Sequence, residues 1–227
     1  MGSVETVAAV LAEIERRWGH RVVFAARELW HKSTTLPSGI NALDDLLGGG
    51  IEQGKITALV GRPTSGITTL AYHLISSVHA AGQESVYIDL SQTFNGAYAA
   101  ACGIDLDRLL VARPPDAVSA LNLVRDIATS RVVNFVVLDF EGMGRPAVML
   151  KRLHRRLTAT GMALVVTANT ALAHTHTRLQ VACTGWLYDE ADVTGCRIVA
   201  TLQQHRAQPA GQSAMFDLHF RMMGDRA

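Results

Sequence analysis

Five short apolar segments alternate with helical patterns along the middle of the chain, and this alternation constrains the fold more than any other feature. Each segment is rich in Val, Ile and Leu on successive residues, which is typical of strands buried on both faces. They are residues 56–60, 85–89, 109–112, 135–139 and 163–168. Helical periodicity over residues 68–81, 116–130 and 146–160 lies between them, so the sequence predicts right-handed βαβ crossovers and a mostly parallel sheet flanked by helices.

The helical pattern stops towards the end of the chain. Residues 185–189, 197–203 and 215–220 are expected to form further strands, which are joined by turns and are antiparallel. With 227 residues, 48% of them hydrophobic and 18% charged, the chain has enough apolar material for one large core. We therefore expect a single α/β core over residues 34–227.

Residues 1–33 are predicted to form a separate helical arm. Its helix carries apolar residues at steps of three and four, which is the spacing of an amphipathic helix. A short apolar strand and a polar connector follow. The apolar residues are Val7, Val10, Leu11, Ile14 and Trp18 in the helix, and Val22, Val23 and Phe24 in the strand.

The loop between the first apolar segment and the helix that follows it has the spacing of a phosphate-binding loop. Its residues are Gly61, Arg62, Pro63, Thr64, Ser65, Gly66, Ile67, Thr68 and Thr69. They match the pattern GxxxxGK[ST] except at one position, where Ile67 replaces the lysine. The glycines let backbone N–H groups and the helix N-terminus point at an anion.

Loss of the lysine removes a charge-assisted contact to the transferring phosphoryl group, so efficient ATP hydrolysis is not expected. Two interpretations stay open. The loop binds ATP weakly, with Arg62 supplying a cation, or it is kept for its packing geometry and is empty of nucleotide. We expect no resident cofactor.

A second nucleotide-site feature is Asp139, which ends the fourth apolar segment where a Walker B carboxylate would lie. If nucleotide binds, Thr68 and Asp139 would hold Mg²⁺; no other metal site is expected. The chain lacks a glutamate as general base, because Ser91 stands where that residue is needed. Asp89 is a candidate substitute, or only a cap or turn residue.

The densest positive patch follows the Asp139 segment, because residues 145–156 contain no acid. Basic residues that can follow a phosphate backbone are Arg145, Lys151, Arg152, Arg155 and Arg156, and a later loop adds His174, His176 and Arg178. These residues are candidates for DNA contact. The alternatives are an ordinary solvated helix face and an ordinary polar loop.

Charge, cysteines and hydropathy exclude several classes of protein. The net charge of +1 gives no global attraction for nucleic acid or anionic lipid. Three widely spaced cysteines fit neither a disulfide framework nor a structural zinc site. No stretch is apolar enough to span a membrane, and no signal peptide is recognisable. The sequence predicts a cytoplasmic protein without a membrane partner.

Several stretches in one order resemble the RecA recombinase family. They are residues 11–19, 36–44, the loop 61–69, residues 87–89 with 97–99, residues 103–110 and 113–116, and the Asp139 strand. The resemblance implies a RecA-like P-loop fold. It also implies that the N-terminal helix and strand dock on a neighbouring protein, whereas the alternative is a helix folded back on its own core.

The departures from the family pattern concern its γ-phosphate chemistry. By motif position, the loop lysine corresponds to Ile67, the catalytic glutamate to Ser91 and the γ-phosphate-sensing glutamine to Asn169. The lysines that act across the subunit interface correspond to Gln203 and His205. Both DNA-binding loops look shortened. The resemblance therefore implies a catalytically degenerate RecA-like protein, similar to the ImuA subfamily of bacterial mutagenesis cassettes.

A protein of this kind is expected to be a nucleoid-associated accessory factor in DNA repair, SOS mutagenesis or translesion synthesis. The partners implied are RecA, a Y-family-like ImuB protein and a DnaE-type polymerase, with self-association and DNA as further candidates. Two alternatives remain. One is a weak DNA-dependent ATPase or recombinase with substitute catalytic residues, and the other is a regulator of RecA filaments.

Overall fold

A computed structural model of the chain describes residues 9–10, 12–17, 34–140, 147–190 and 192–220, without the side chains of 147–149. The chain divides into two compact units, Met1–Ser33 and Thr34–Ala227. In the first unit the described residues are helical, with Val10 exposed and Ile14 half-buried. The other predicted arm residues, Val7, Leu11, Trp18, Val22, Val23 and Phe24, lie outside the described part.

The second unit alternates strands and helices, as expected. Its strands are β1 (Thr35–Leu36), β2 (Ile51–Glu52), β3 (Ile56–Val60), β4 (Ser85–Asp89), β5 (Leu109–Ala112), β6 (Phe135–Asp139), β7 (Ala163–Ala168), β8 (Thr177–Asp189), β9 (Asp192–Gln204) and β10 (Ser213–His219). Its helices are α1 (Asn41–Leu47), α2 (Ile67–Ala80), α3 (Gly96–Ala101), α4 (Ala117–Ser130) and α5 (Ala147–Thr160), and a 3-10 turn covers Leu106–Arg108.

Eight strands form one sheet in the order β10-β9-β8-β3-β7-β6-β4-β5. The pairs from β8 to β5 are parallel, and β9 and β10 are antiparallel to their neighbours. The predicted architecture, a mostly parallel sheet with antiparallel strands at its C-terminal end, is therefore confirmed. β1 and β2 pair separately as a small antiparallel sheet.

Two hydrophobic layers cover the faces of the sheet. Apolar residues of helices α1, α2 and α3 pack on one face, and apolar residues of α4 and α5 pack on the other. Successive residues of one strand enter opposite layers: Val165 of β7 joins the first layer and Val166 the second. This two-sided burial explains why the central strands are apolar on successive residues.

The structure corrects two expectations about strands. β5 lies at the edge of the sheet, and its Leu110 and Val111 are exposed, so it is not buried on both faces. β8 begins at Thr177 and not at Gly185, so the first half of this strand was missed. No helix among the described residues is long and apolar enough to cross a membrane.

Candidate functional site

The carboxyl ends of β3, β7, β6 and β4 meet at one edge of the sheet, and the predicted loop 61–69 begins there. The loop is closed by two backbone hydrogen bonds: Gly61 N–H donates to Ala168 O at 3.1 Å, and Ser65 N–H donates to Arg62 O at 3.0 Å. Gly66 has a φ of +85° and directly precedes α2, with no side-chain cap. The first N–H groups of α2 therefore have no intrahelical partner, as an anion site requires.

The side chain of Ile67 is buried at the position that the loop pattern gives to lysine. It is 2% exposed and belongs to the hydrophobic layer formed with α2. Its Cγ2 atom would lie 2.9 Å from a Cβ built on Gly61, and Ser65 Oγ would overlap that Cβ. The space beside Gly61 is therefore filled by the side chains of Ser65 and Ile67.

The space left outside the loop is small. A cavity of about 190 Å³ is lined by Pro63, Thr64, Gly66, Ile67, Thr68 and Thr69. Ligand sites in proteins commonly measure about 300–1,000 Å³. Ser65 Oγ is buried without a hydrogen-bond partner, so one polar atom in the loop remains unsatisfied. Arg62 is exposed at the loop surface.

Asp139 is held by two hydroxyl groups. Ser91 Oγ donates to its Oδ2 atom at 2.5 Å, and Thr167 Oγ1 donates to its Oδ1 atom at 2.7 Å. The carboxylate is 2% exposed. Burial and the negative charge of Asp139 raise the pKa of Tyr87, so this phenol stays neutral. Both carboxylate oxygens thus have protein partners, which Mg²⁺ would have to displace or share.

Asp89 performs a structural task at the end of β4. It is fully buried and accepts hydrogen bonds from the backbone N–H groups of Thr93 and Phe94 and from Arg113 Nε. These three donors fix the turn after β4. The geometry therefore favours the cap-or-turn interpretation of Asp89 over the substitute general base.

Asn169, Gln203 and His205 stand at the family's other γ-phosphate positions, and each lies in a different environment. Asn169 is exposed at the end of β7. Gln203 donates to Gln180 Oε1 at 3.1 Å on the neighbouring strand. The His205 side chain is 4% exposed, and its Nδ1 atom accepts hydrogen bonds from the backbone of Ala207 and Gln208. His205 is thus turned into its own chain and does not reach outwards.

Helix α5 has the two faces that the sequence predicts. Leu150, Leu153 and Leu157 are buried against the sheet. The exposed face carries Lys151, Arg152, Arg155 and Arg156. Arg152 and Arg156 line a groove with Arg125 and Asn122 of α4. Lys151 and Arg155 form a separate row on α5, which we call the outer row. Arg145 lies outside the described residues.

The three basic residues predicted to lie in the loop before β8 are not all exposed. His176 exchanges hydrogen bonds with the backbone of Ile56, and its ring stacks on His154 at a centroid distance of 4.3 Å. Burial, with His154 and nearby cations, lowers the pKa of His176 to about 4. Arg178 donates to Leu172 O at 2.7 Å. Only His174 is exposed, so these contacts argue against joint DNA binding.

Sequence reasoning missed Thr167, Arg113 and Arg125. Thr167 pairs with Asp139 in the β6–β7 register, and Arg113 follows β5, the neighbour of β4. The strand order, once known, would have indicated the first two, because the carboxyl ends of parallel strands meet at one edge. Arg125 follows from its place on α4, beside α5.

Comparisons with known proteins find matches to RecA proteins. A family model described as the RecA N-terminal domain matches residues 5–151. The protein named Protein RecA of Picosynechococcus sp. is 37% identical over 131 residues, which cover 57% of this chain and 38% of that protein. Protein RecA of Rippkaea orientalis is 39% identical over 139 residues, or 60% of this chain and 39% of that protein. The matches thus span less than two-fifths of either relative.

Proposed function

Because the chain belongs to the RecA family, we propose that it is a member without ATP turnover that acts by binding partners in DNA repair. The observation that carries this proposal is the burial of Ile67 in the core at the position of the phosphate-binding lysine. A buried hydrocarbon supplies no charge to a γ-phosphate.

The surroundings of Asp139 support the same conclusion. A Mg²⁺ ion prefers carboxylate and water oxygens in near-octahedral geometry. Here each carboxylate oxygen already accepts one hydrogen bond, from Ser91 or from Thr167, with which Mg²⁺ would compete. Together with the buried Ile67, these contacts disfavour Mg-ATP, and no step of the proposed function passes through it.

The finer proposal is an ImuA-like accessory role in SOS mutagenesis or translesion synthesis. Its partners would be RecA, an ImuB-type protein or a DnaE-type polymerase, bound through the N-terminal arm. Val10 is exposed in the arm helix, so it is a residue at which this docking can be tested. The outer row of α5, Lys151 and Arg155, would supply any contact with DNA.

The alternative of a weak ATPase has less support. It needs Asp89 as a base and Arg62 as a cation. Asp89 is buried behind three hydrogen bonds, and a base must reach the attacking water. A regulator of RecA filaments remains compatible with the arm, and it differs from the first proposal in binding RecA alone.

The proposal is tested by immobilising the chain on a surface and passing purified RecA, an ImuB-type protein and a DnaE-type polymerase over it in turn, with and without Mg-ATP. We expect at least one to bind with a Kd that Mg-ATP does not change. Val10→Asp should weaken that binding about tenfold, because it places a charge in the contact. Val132→Asp, which alters another exposed valine, is the matched control.

Absence of binding to all three proteins would contradict the partner-binding proposal. Binding to RecA alone, accompanied by a change in the filament's ATPase rate, would instead support the regulator.

A further inference from the structure

The hairpin of β8 and β9 extends beyond the rest of the sheet and ends in exposed aromatic residues. β8 pairs with β3 only over Thr177–Gln180, and its later residues pair with β9. Near the turn, Trp186 is 52% exposed and Tyr188 is 62% exposed. Tyr188 lies opposite Val193, which is also exposed, so the three side chains form an apolar surface. Trp and Tyr are the residues most enriched at the centres of protein interfaces.

Three carboxylates lie next to these aromatics in the turn of the hairpin. Asp189, Glu190 and Asp192 are exposed at the turn. In the described part of the core they have no cationic partner. We call these six residues, 186, 188–190, 192 and 193, the aromatic tip. Its negative charge repels nucleic acid, whereas arginine side chains can both pair with the carboxylates and stack on the rings. The tip therefore fits a protein surface rich in arginine.

The same chain carries such a surface. The groove between α4 and α5 has a volume of about 180 Å³ and is lined by Leu121, Asn122, Arg125, Arg152, Leu153 and Arg156, which we call the arginine groove. Arg125 pairs with its neighbour Asp126. Within residues 34–140, 147–190 and 192–220, Arg152 and Arg156 have no acidic partner. The groove thus offers two unpaired guanidinium groups, whereas Leu121 and Leu153 beneath them are almost fully buried.

The tip and the groove of one copy do not meet. The groove belongs to the layer that α4 and α5 form, whereas the hairpin packs Cys196 and Cys183 into the layer on the opposite face. No residue of the tip lines the groove. Each surface is therefore open to a second molecule.

We propose that the aromatic tip of one copy docks into the arginine groove of a second copy. Trp186 and Tyr188 would stack on the guanidinium groups of the groove, and the carboxylates would pair with Arg152 and Arg156. The contact joins two different surfaces, so each copy keeps a free tip or groove for the next, and association is open-ended unless a ring closes. It is independent of the nucleotide site and of the N-terminal arm.

Sedimentation velocity of the full chain over a range of concentrations tests this proposal. At low ionic strength the mean mass should rise with concentration, and about 1 M NaCl should abolish the rise, because the Debye length is then about 3 Å. Arg152→Glu/Arg156→Glu should weaken association at least about tenfold. Lys151→Glu/Arg155→Glu, the same charge change on the outer row of the same helix, is the control and should associate as wild type does.

Charge exchange makes the test specific. Asp189→Lys/Glu190→Lys alone should be monomeric, and so should Arg152→Glu/Arg156→Glu alone. Mixing the two variants should restore association, because each tip then meets a groove of opposite charge. Wild type that stays monomeric at every concentration, equal loss in the outer-row control, or no rescue in the mixture would each overturn the proposal.

Discussion

Replacing Asp89 with alanine is expected to lower the free energy of unfolding by about 3 kcal/mol. The change leaves the N–H groups of Thr93 and Phe94 without their acceptor and removes the partner of Arg113. Arg113 is 54% exposed, so water can solvate its guanidinium and the ion pair itself adds little. Most of the loss comes from the two backbone donors in the turn after β4.

Urea denaturation of the variant checks this expectation. Arg113→Gln serves as the control, and it should cost about 1 kcal/mol or less because it leaves the turn intact. A loss below about 1 kcal/mol for Asp89→Ala would mean that the carboxylate does not hold the turn. That result would return Asp89 to consideration as a catalytic base.

Replacing Ile67 with lysine is expected to lower the free energy of unfolding by about 3 kcal/mol, because the variant loses buried packing and must place an ammonium group in the core. The native side chain is 2% exposed among the apolar residues around α2. Ile67→Val, which removes one methylene, should cost only about 1 kcal/mol. Thermal and urea melts of both variants give the comparison.

The Ile67→Lys variant also shows whether the rest of the nucleotide site is intact or has changed together with position 67. If the lysine turns towards the loop without loss of stability and Mg-ATP then stabilises the protein, the rest of the nucleotide site is intact. In that case the departure from the family would be confined to position 67. We expect neither result, because Ser65 and Ile67 fill the space beside Gly61 and each Asp139 oxygen already accepts a hydrogen bond.

The central strands could be predicted because their residues enter both hydrophobic layers, which leaves a continuous apolar run. β5 has a similar run, yet it lies at the sheet edge. Its burial depends on strand order, which a local pattern does not contain. The start of β8 was missed because residues 174–178 were expected to lie in a loop. Residues 178–181 alternate between polar and apolar side chains, which is typical of a half-buried strand, and they pair with β3 and β9.

In the candidate site, too, the residues that could be predicted are those whose signal is local in the sequence. The loop 61–69 and Asp139 were found because their spacing relative to strands is local. The partners of Asp139 depend on register across three strands, which brings Ser91 and Thr167 to one carboxylate. His176 and Arg178 likewise lie inwards because they bond to Ile56 and Leu172. Ile56 is distant from His176 in the sequence, and the contact between Arg178 and Leu172 follows no periodic pattern.

Thermal melting of the wild-type chain with and without millimolar Mg-ATP, with MgCl₂ at matched ionic strength as the control, shows whether the loop 61–69 and Asp139 still bind nucleotide. A ligand at 100 times its Kd adds about 2.7 kcal/mol of stability, which corresponds to a rise in Tm of roughly 5–11 °C for a chain of this size. We expect no change in Tm beyond that of the control. A rise of several degrees that requires both Mg²⁺ and ATP would mean that the site still binds nucleotide, contrary to this expectation.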